Sequence, residues 1–324
     1  MIEDRSRMNR KSALLKMNQP EYYVGFGLIA LFIVFSIASP YFLTATNLSN
    51  VLYQVSAIGI LAAGQTMVIL TGGIDLSIGS VFTISGWIMC FLVQNVGLAI
   101  GLPVGLIVGL TAGLINGVLV SIVKLEPFIV TLGTMSIFNG VVYIISNSKA
   151  VSNLPLVMAQ IDKFKLFGVI PSYLLILFIV LILGHLFLTY SKPGRMIYAI
   201  GSNEQAALYS GIRTQLYKIV PYVLAGGLAF VASFVQSSHL MAIDCNAGNN
   251  QNLDSITAVV IGGTSLLGGR GSLIGTSIGF LLIGVLGNGL NLLGVNSYWQ
   301  RVVVGIILIT TIGLQRLSFA RSNK

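Results

Sequence analysis

Apolar runs of about twenty residues recur from one end of this chain to the other, each long enough to cross a bilayer as a helix. No soluble fold buries so many of them together. Charged residues make up only 8% of the 324, against about 25% in a soluble domain, and the mean hydropathy is +0.90. Barrel proteins show short alternating segments instead. The fold class is therefore an all-α polytopic membrane protein.

The runs cover residues 22–39, 51–70, 81–94, 97–123, 127–145, 171–190, 219–239, 255–267, 272–293 and 302–314. The stretch 255–267 is too short to span comfortably. Counting it gives about ten transmembrane or partly spanning helices; eight is the other count the pattern allows. Basic residues beside spans are retained in the cytoplasm. With ten helices, all 18 basic residues except Lys149, Lys163, Lys165 and Arg301 fall inside, and both termini are cytoplasmic. The domain layout is then a basic tail over 1–20, a membrane domain over 21–316 and a tail over 317–324. No small-residue cleavage site follows the first run, so it reads as a retained helix, with Tyr22 and Tyr23 at its interface.

The net charge of +9 sits at span edges, where it sets topology; it does not mark a nucleic-acid surface. Cys90 and Cys245 form neither a disulfide framework nor a metal spacing. His185 and His239 read as isolated in apolar spans, away from any metal-type cluster. No G-x-x-x-x-G-K-[ST] stretch occurs, so there is no P-loop, and no nucleophile and base stand at a recognisable spacing. Catalysis is not expected of this chain.

Glycines at 97, 101, 105, 109, 113 and 117 repeat every four residues along the fourth run. That spacing puts them on one helical face and lets a second helix backbone approach closely. Two glycine-rich breaks interrupt the pattern elsewhere, Thr71-Gly72-Gly73…Gly79-Ser80 and Gly262-Gly263-Thr264…Gly271-Ser272. Open backbone at membrane depth is tolerated only where it is buried in protein or lines water. Paired breaks in the two halves of a chain point to a translocation site.

Six polar groups at membrane depth accompany them: Gln65, Asp75, Ser77, Asn116, Asn288 and Asn291. Intramembrane polar residues are expensive and default to a functional reading, so these are the candidate translocation-pathway residues. Each has a structural reading as well. Asp75 can cap the third helix, and the asparagines, Asn139 among them, can be interhelical glue. The set suits an uncharged, hydroxyl-rich solute better than an ion, because few buried charges are present to balance one.

Residues 191–218, SKPGRMIYAIGSNEQAALYSGIRTQLYK, form the one long charged interruption inside the chain. Lys192, Arg195, Arg213 and Lys218 put it on the cytoplasmic side. Asn203 is a good N-cap for one short helix, Glu204 favours its first turn, and Ser210-Gly211 stops it. A surface helix between two spans is a handle for a soluble partner.

Four segments carry a family resemblance: TGGIDLSIGSV (71–81), EPFIVTLGTMSIFNG (126–140), GRMIYAIGSNEQAALYSGI (194–212) and AVVIGGTSLLGGRGSLIGT…GVLGNGLNLLGVNSYWQ (258–300). The chain resembles the permease subunits of bacterial ABC importers for ribose and related sugars, over residues 40–315. The resemblance implies a permease in the bacterial inner membrane, paired with a second copy or a similar permease. It further implies an ATPase subunit on the cytoplasmic face, which binds the ATP and magnesium, and an extracytoplasmic sugar-binding protein. No cofactor is implied for this chain. The segment 194–212 corresponds to the loop that docks into the ATPase, which makes Gly194, Arg195, Asn203, Glu204, Ala206, Ala207, Ser210 and Gly211 the coupling positions. Ser202 stands where many members have a second glycine. The sugar itself is not specified. An ion-coupled secondary transporter is the alternative, with Asp75 as its one plausible intramembrane carboxylate.

Overall fold

The computed structural model describes residues 20–322, with side chains over 24–313. The basic tail over 1–19, the Tyr22 and Tyr23 rings and the side chains of the C-terminal tail lie outside the described residues.

α1 (Pro20–Ala38) leads through a short turn to α2 (Ala45–Leu70). α2 begins six residues before its apolar run, because Thr44 caps it by accepting the Asn47 amide at 3.3 Å. α3 (Ile78–Asn95), α4 (Leu98–Ser121) and α5 (Pro127–Ser146) follow. Pro127 opens α5, where its missing N–H costs nothing.

Residues 147–170, the polar stretch between the runs 127–145 and 171–190, form regular elements. They hold β1 (Val151–Ser152), α6 (Leu156–Lys163), β2 (Lys165–Leu166) and the start of β3 (Ile170–Pro171). Leu154 and Met158 anchor the stretch by packing under it with Trp87 and Ile243. α7 (Ser172–Tyr190) precedes α8 (Lys192–Ser202) and α9 (Glu204–Tyr209), so the 191–218 stretch contains two helices where one was expected. α10 (Thr214–Leu240), β4 (Ala242–Ile243), α11 (Gln251–Ile261), α12 (Leu273–Leu292) and α13 (Ser297–Ser322) complete the chain. The strands form two small antiparallel pairs, β1 with β4 and β2 with β3.

Among the described residues, seven helices, α2, α3, α4, α5, α7, α10 and α12, are long and apolar enough to cross a membrane. α1 and α13 contain shorter apolar stretches, Val24–Ala38 and Ser297–Gly313, and α11 has 11 residues. The protein is a multi-pass helical membrane protein.

α10 is the central helix, packed against α4, α2 and α3. The glycine face of α4 is what lets it approach. Gly109 lies on the Gly226 carbonyl, Gly113 on the Tyr222 carbonyl and Gly117 on Ile219, while Gly101 faces Met89 and Val93 of α3. A side chain at these points would collide with backbone, so the seam is a packing device, as the spacing predicts. Gly97 is the exception. It caps α4 with φ +118, and nothing lies within 4 Å of where its Cβ would be.

Candidate functional site

The 191–218 stretch leaves α7 by a sharp turn. Ser191 caps α8 by accepting the Gly194 amide at 3.0 Å, and Arg195 Nη1 donates to the Tyr190 carbonyl at 2.9 Å. Gly194 is pressed onto the Phe187 and Leu188 carbonyls. One face of α8 is apolar, and Ile197 packs with Ala63, Met67, Leu70, Leu188 and Leu273. Tyr198 donates to the Gly271 carbonyl at 2.9 Å, and partial burial raises its phenol above the ordinary value, so it remains a donor at neutral pH.

Asn203 caps α9 by accepting the Ala206 amide at 2.9 Å. Glu204, exposed in the first turn, is fixed by Lys218 Nζ, which lies 3.0 and 2.9 Å from its two oxygens. Ser210 Oγ donates to the Ala206 carbonyl, and Gly211 leaves the helix at φ +79. The candidate coupling positions therefore share one compact unit but not one surface. Ala207 and Gly194 are buried, whereas Asn203, Glu204, Ala206, Ser210 and Gly211 are exposed. Leu208 and Tyr209, at 56% and 88% exposure, dominate the outward face of α9. Sequence reasoning passed over both, although exposed large apolar residues on a charged loop are a sign of a partner surface.

A second feature lies beneath this unit. The break between α2 and α3 is held by side chains of its own residues, of α2 and of three other helices, α4, α5 and α11. Asp75 accepts both the amide and the hydroxyl of Ser77, at 2.8 and 2.6 Å. Asn116 of α4 donates to Ser77 Oγ at 2.7 Å. The Gln65 amide, with its nitrogen toward the Asp75 carbonyl, bonds the Asp75 backbone at 3.3 and 3.2 Å. Thr131 of α5 donates to the Ile74 carbonyl at 3.2 Å, and Asn252 of α11 to the Leu76 carbonyl at 3.3 Å. Every backbone group so bonded is one that the absent helix would have satisfied.

Four of the six candidate pathway residues thus meet at one place. Gln65, Asp75, Ser77 and Asn116 are all buried there. Asp75 sits two residues ahead of the Ser77 cap position and accepts the Ser77 amide just before α3 opens, close to its capping reading. Asn288 lies elsewhere. It exchanges two amide hydrogen bonds with Asn47, at 3.0 and 2.9 Å, tying the far end of α12 to the start of α2. Asn291 is exposed, away from the cluster. His239 is not isolated as expected. Its ring stacks on Tyr53 at 3.6 Å and meets Asp162 at 3.1 Å, because α6 folds back over the end of α10.

A cavity of about 1070 Å³ opens between the α2–α3 break, the α4–α5 turn and the α8–α9 unit. Thr71, Gly73, Lys124, Glu126, Asn203 and Tyr222 are among its lining residues. Tyr222 is fully buried beside Gly73.

The family described as the branched-chain amino acid transport system / permease component matches residues 47–312. The chain belongs to this permease family. Among similar proteins, the ribose import permease protein RbsC of Bacillus subtilis is 42% identical over 299 residues, covering 90% of this chain and 91% of that one. RbsC of Escherichia coli K12 is 38% identical over 291 residues, covering 88% and 90%. The D-allose transport system permease protein AlsC of Escherichia coli K12 is 35% identical over 307 residues, 91% of each. No solved structure matches this permease.

Proposed function

We propose that this chain is the membrane-spanning permease subunit of an ATP-driven importer for a monosaccharide, ribose or a closely related sugar. The observation that carries the reading is similarity over 88–91% of the chain to ribose and D-allose permeases at 35–42% identity. The branched-chain amino acid description of the family is broader than these relatives. A zwitterionic amino acid also calls for buried charges of both signs, whereas the polar cluster around the α2–α3 break holds one carboxylate, already engaged by Ser77.

In this reading the chain embeds ten helices in the cytoplasmic membrane, within a single domain over 21–316, and keeps both termini in the cytoplasm. The seven long helices are joined in this count by α1, α13 and the short α11. The α8–α9 unit then faces the cytoplasm and docks an ATPase subunit, which binds the ATP and magnesium, so this chain has no catalytic step. A binding protein presents sugar on the opposite side, and a second permease, identical or similar, completes the pathway. Gln65, Asp75, Ser77 and Asn116 are the residues of the set that belong near that pathway. Their role is to keep an unwound stretch of backbone satisfied while it remains free to move.

The test is purification of the tagged chain in mild detergent from its own membrane, followed by mass spectrometry and uptake assays. An ATPase subunit in near-equal amount, and uptake of labelled ribose or D-allose unaffected by excess leucine, is the expected result. A chain that purifies alone and transports without ATP, driven by an ion gradient, would overturn the proposal.

A further inference from the structure

The two glycine-rich breaks are joined to one another. The carbonyl of Leu70, the last residue of α2, accepts the Gly269 amide at 2.9 Å. Gly201, next to last in α8, is set directly against that bond. A Cβ there would overlap the Leu70 carbonyl oxygen and crowd the Gly269 nitrogen. On the other side, a Cβ at Gly268 would stand 2.8 Å from the Gly72 nitrogen and 3.0 Å from Gly201 Cα. Three segments from three different parts of the chain therefore meet backbone to backbone. Gly72, Gly268 and Gly269 have φ of +81, +87 and +71, a region that side chains disfavour. One turn earlier in α8, the Tyr198 hydroxyl bonds Gly271, beyond the same break.

Contacts made through side chains yield by rotamer changes, but contacts made through backbone do not. A rigid junction of this kind passes displacement on instead of absorbing it. α8 is also the helix that leads into the exposed α9, so anything that moves α9 pulls on Gly201. Because Gly201 touches both Leu70 and Gly269, neither break is able to stay in place alone.

We propose that Gly201 and Tyr198 are positioning residues that transmit movement of the α8–α9 unit to both glycine-rich breaks at once. The α2–α3 and α11–α12 breaks then shift together. This rests on the reading of residues 191–218 as the ATPase-docking unit. It adds the route by which docking reaches the membrane.

The experiment uses the whole complex, with ATPase subunit and binding protein, in proteoliposomes. Uptake of labelled ribose, or of D-allose if ribose is not carried, is measured against ATP hydrolysed. Gly201→Ala is expected to retain the ATPase subunit while uptake per ATP falls by about tenfold, a typical size for a lost coupling. A purely structural defect lowers the amount of complex but leaves this ratio unchanged. A ratio within about twofold of wild type overturns the proposal. If Gly201→Ala does not accumulate, Tyr198→Phe decides by the same twofold limit, since it removes one hydroxyl and little packing. An ATPase missing from the wild-type preparation sinks the docking reading itself, a failure visible before any variant is tested.

Discussion

Asn116 on α4 donates a 2.7 Å hydrogen bond to the hydroxyl of Ser77, which in turn donates to Asp75 at 2.6 Å. The chain of donors runs one way, toward the only carboxylate in the α2–α3 break. Replacing Asn116 by Leu leaves the Ser77 oxygen short of a donor in a site without solvent exposure. The expected loss is about 1–3 kcal/mol, read as a lower unfolding temperature in detergent. Ser77→Ala alone should cost a similar amount. The double variant should cost clearly less than the sum, because the two share one bond. Additive losses would show that the bond contributes nothing.

The Asn47–Asn288 pair is expected to behave as a structural clamp. Either single change to Ala strips the surviving buried amide of two hydrogen bonds, leaving Asn47 only its bond to the Phe42 carbonyl at 2.9 Å, and should lower stability. A double-mutant cycle should return a coupling of about 0.6 kcal/mol and no more than about 1.7, the average and maximum found between membrane helices. Uptake per ATP by the assembled double variant should match wild type, which separates this pair from the cluster at Ser77.

Glycines of this chain fall into two classes that one substitution tells apart. At Gly113 a methyl group would collide with the Tyr222 carbonyl. Gly113→Ala should therefore force α4 and α10 apart at about 1–3 kcal/mol. At Gly133 nothing lies within 4 Å, so Gly133→Ala should gain up to about 1 kcal/mol from helix propensity alone. Thermal unfolding of the purified single chain checks both signs.

Glu204 and Lys218 form an ion pair whose carboxylate is 51% exposed. Such pairs are worth about 0.2–1 kcal/mol, so Glu204→Arg with Tyr209→Asp should leave the unfolding temperature nearly unchanged. Recovery of the ATPase subunit should drop sharply. Ala207 is the wrong target for this purpose, because it is buried and a charge there would disturb the fold itself. Full recovery of the subunit would remove α9 from the docking surface.

Much of the fold was legible because its signals are local. A helix in lipid needs a long apolar run, and helix ends show as Asn203 or Pro127 in characteristic positions, whereas the Thr44 cap, ahead of its apolar run, was missed. The breaks announced themselves through glycine, and the seam through its spacing of four. The site was legible only in part. Gln65, Asp75, Ser77 and Asn116 could be gathered as polar residues in apolar surroundings, but Asn288 and Asn291 carry the same signal and lie elsewhere. Thr131 and Asn252, which complete the clamp on the break, look like ordinary helix-start residues. His239 seemed alone because its partner, Asp162, is 77 residues away.

The sequence by itself determined that this chain lives in a membrane as a bundle of helices, where the bundle is interrupted, and which permease family it belongs to. Those properties follow from hydrophobic length and from residues acting on their own backbone. Only the tertiary structure decided which polar groups share a site, which face of α9 is free, and that Leu70, Gly201 and Gly269 meet at one point. Glycine carries no side chain that could name its neighbour, so a junction built from backbone is invisible until the chain has folded.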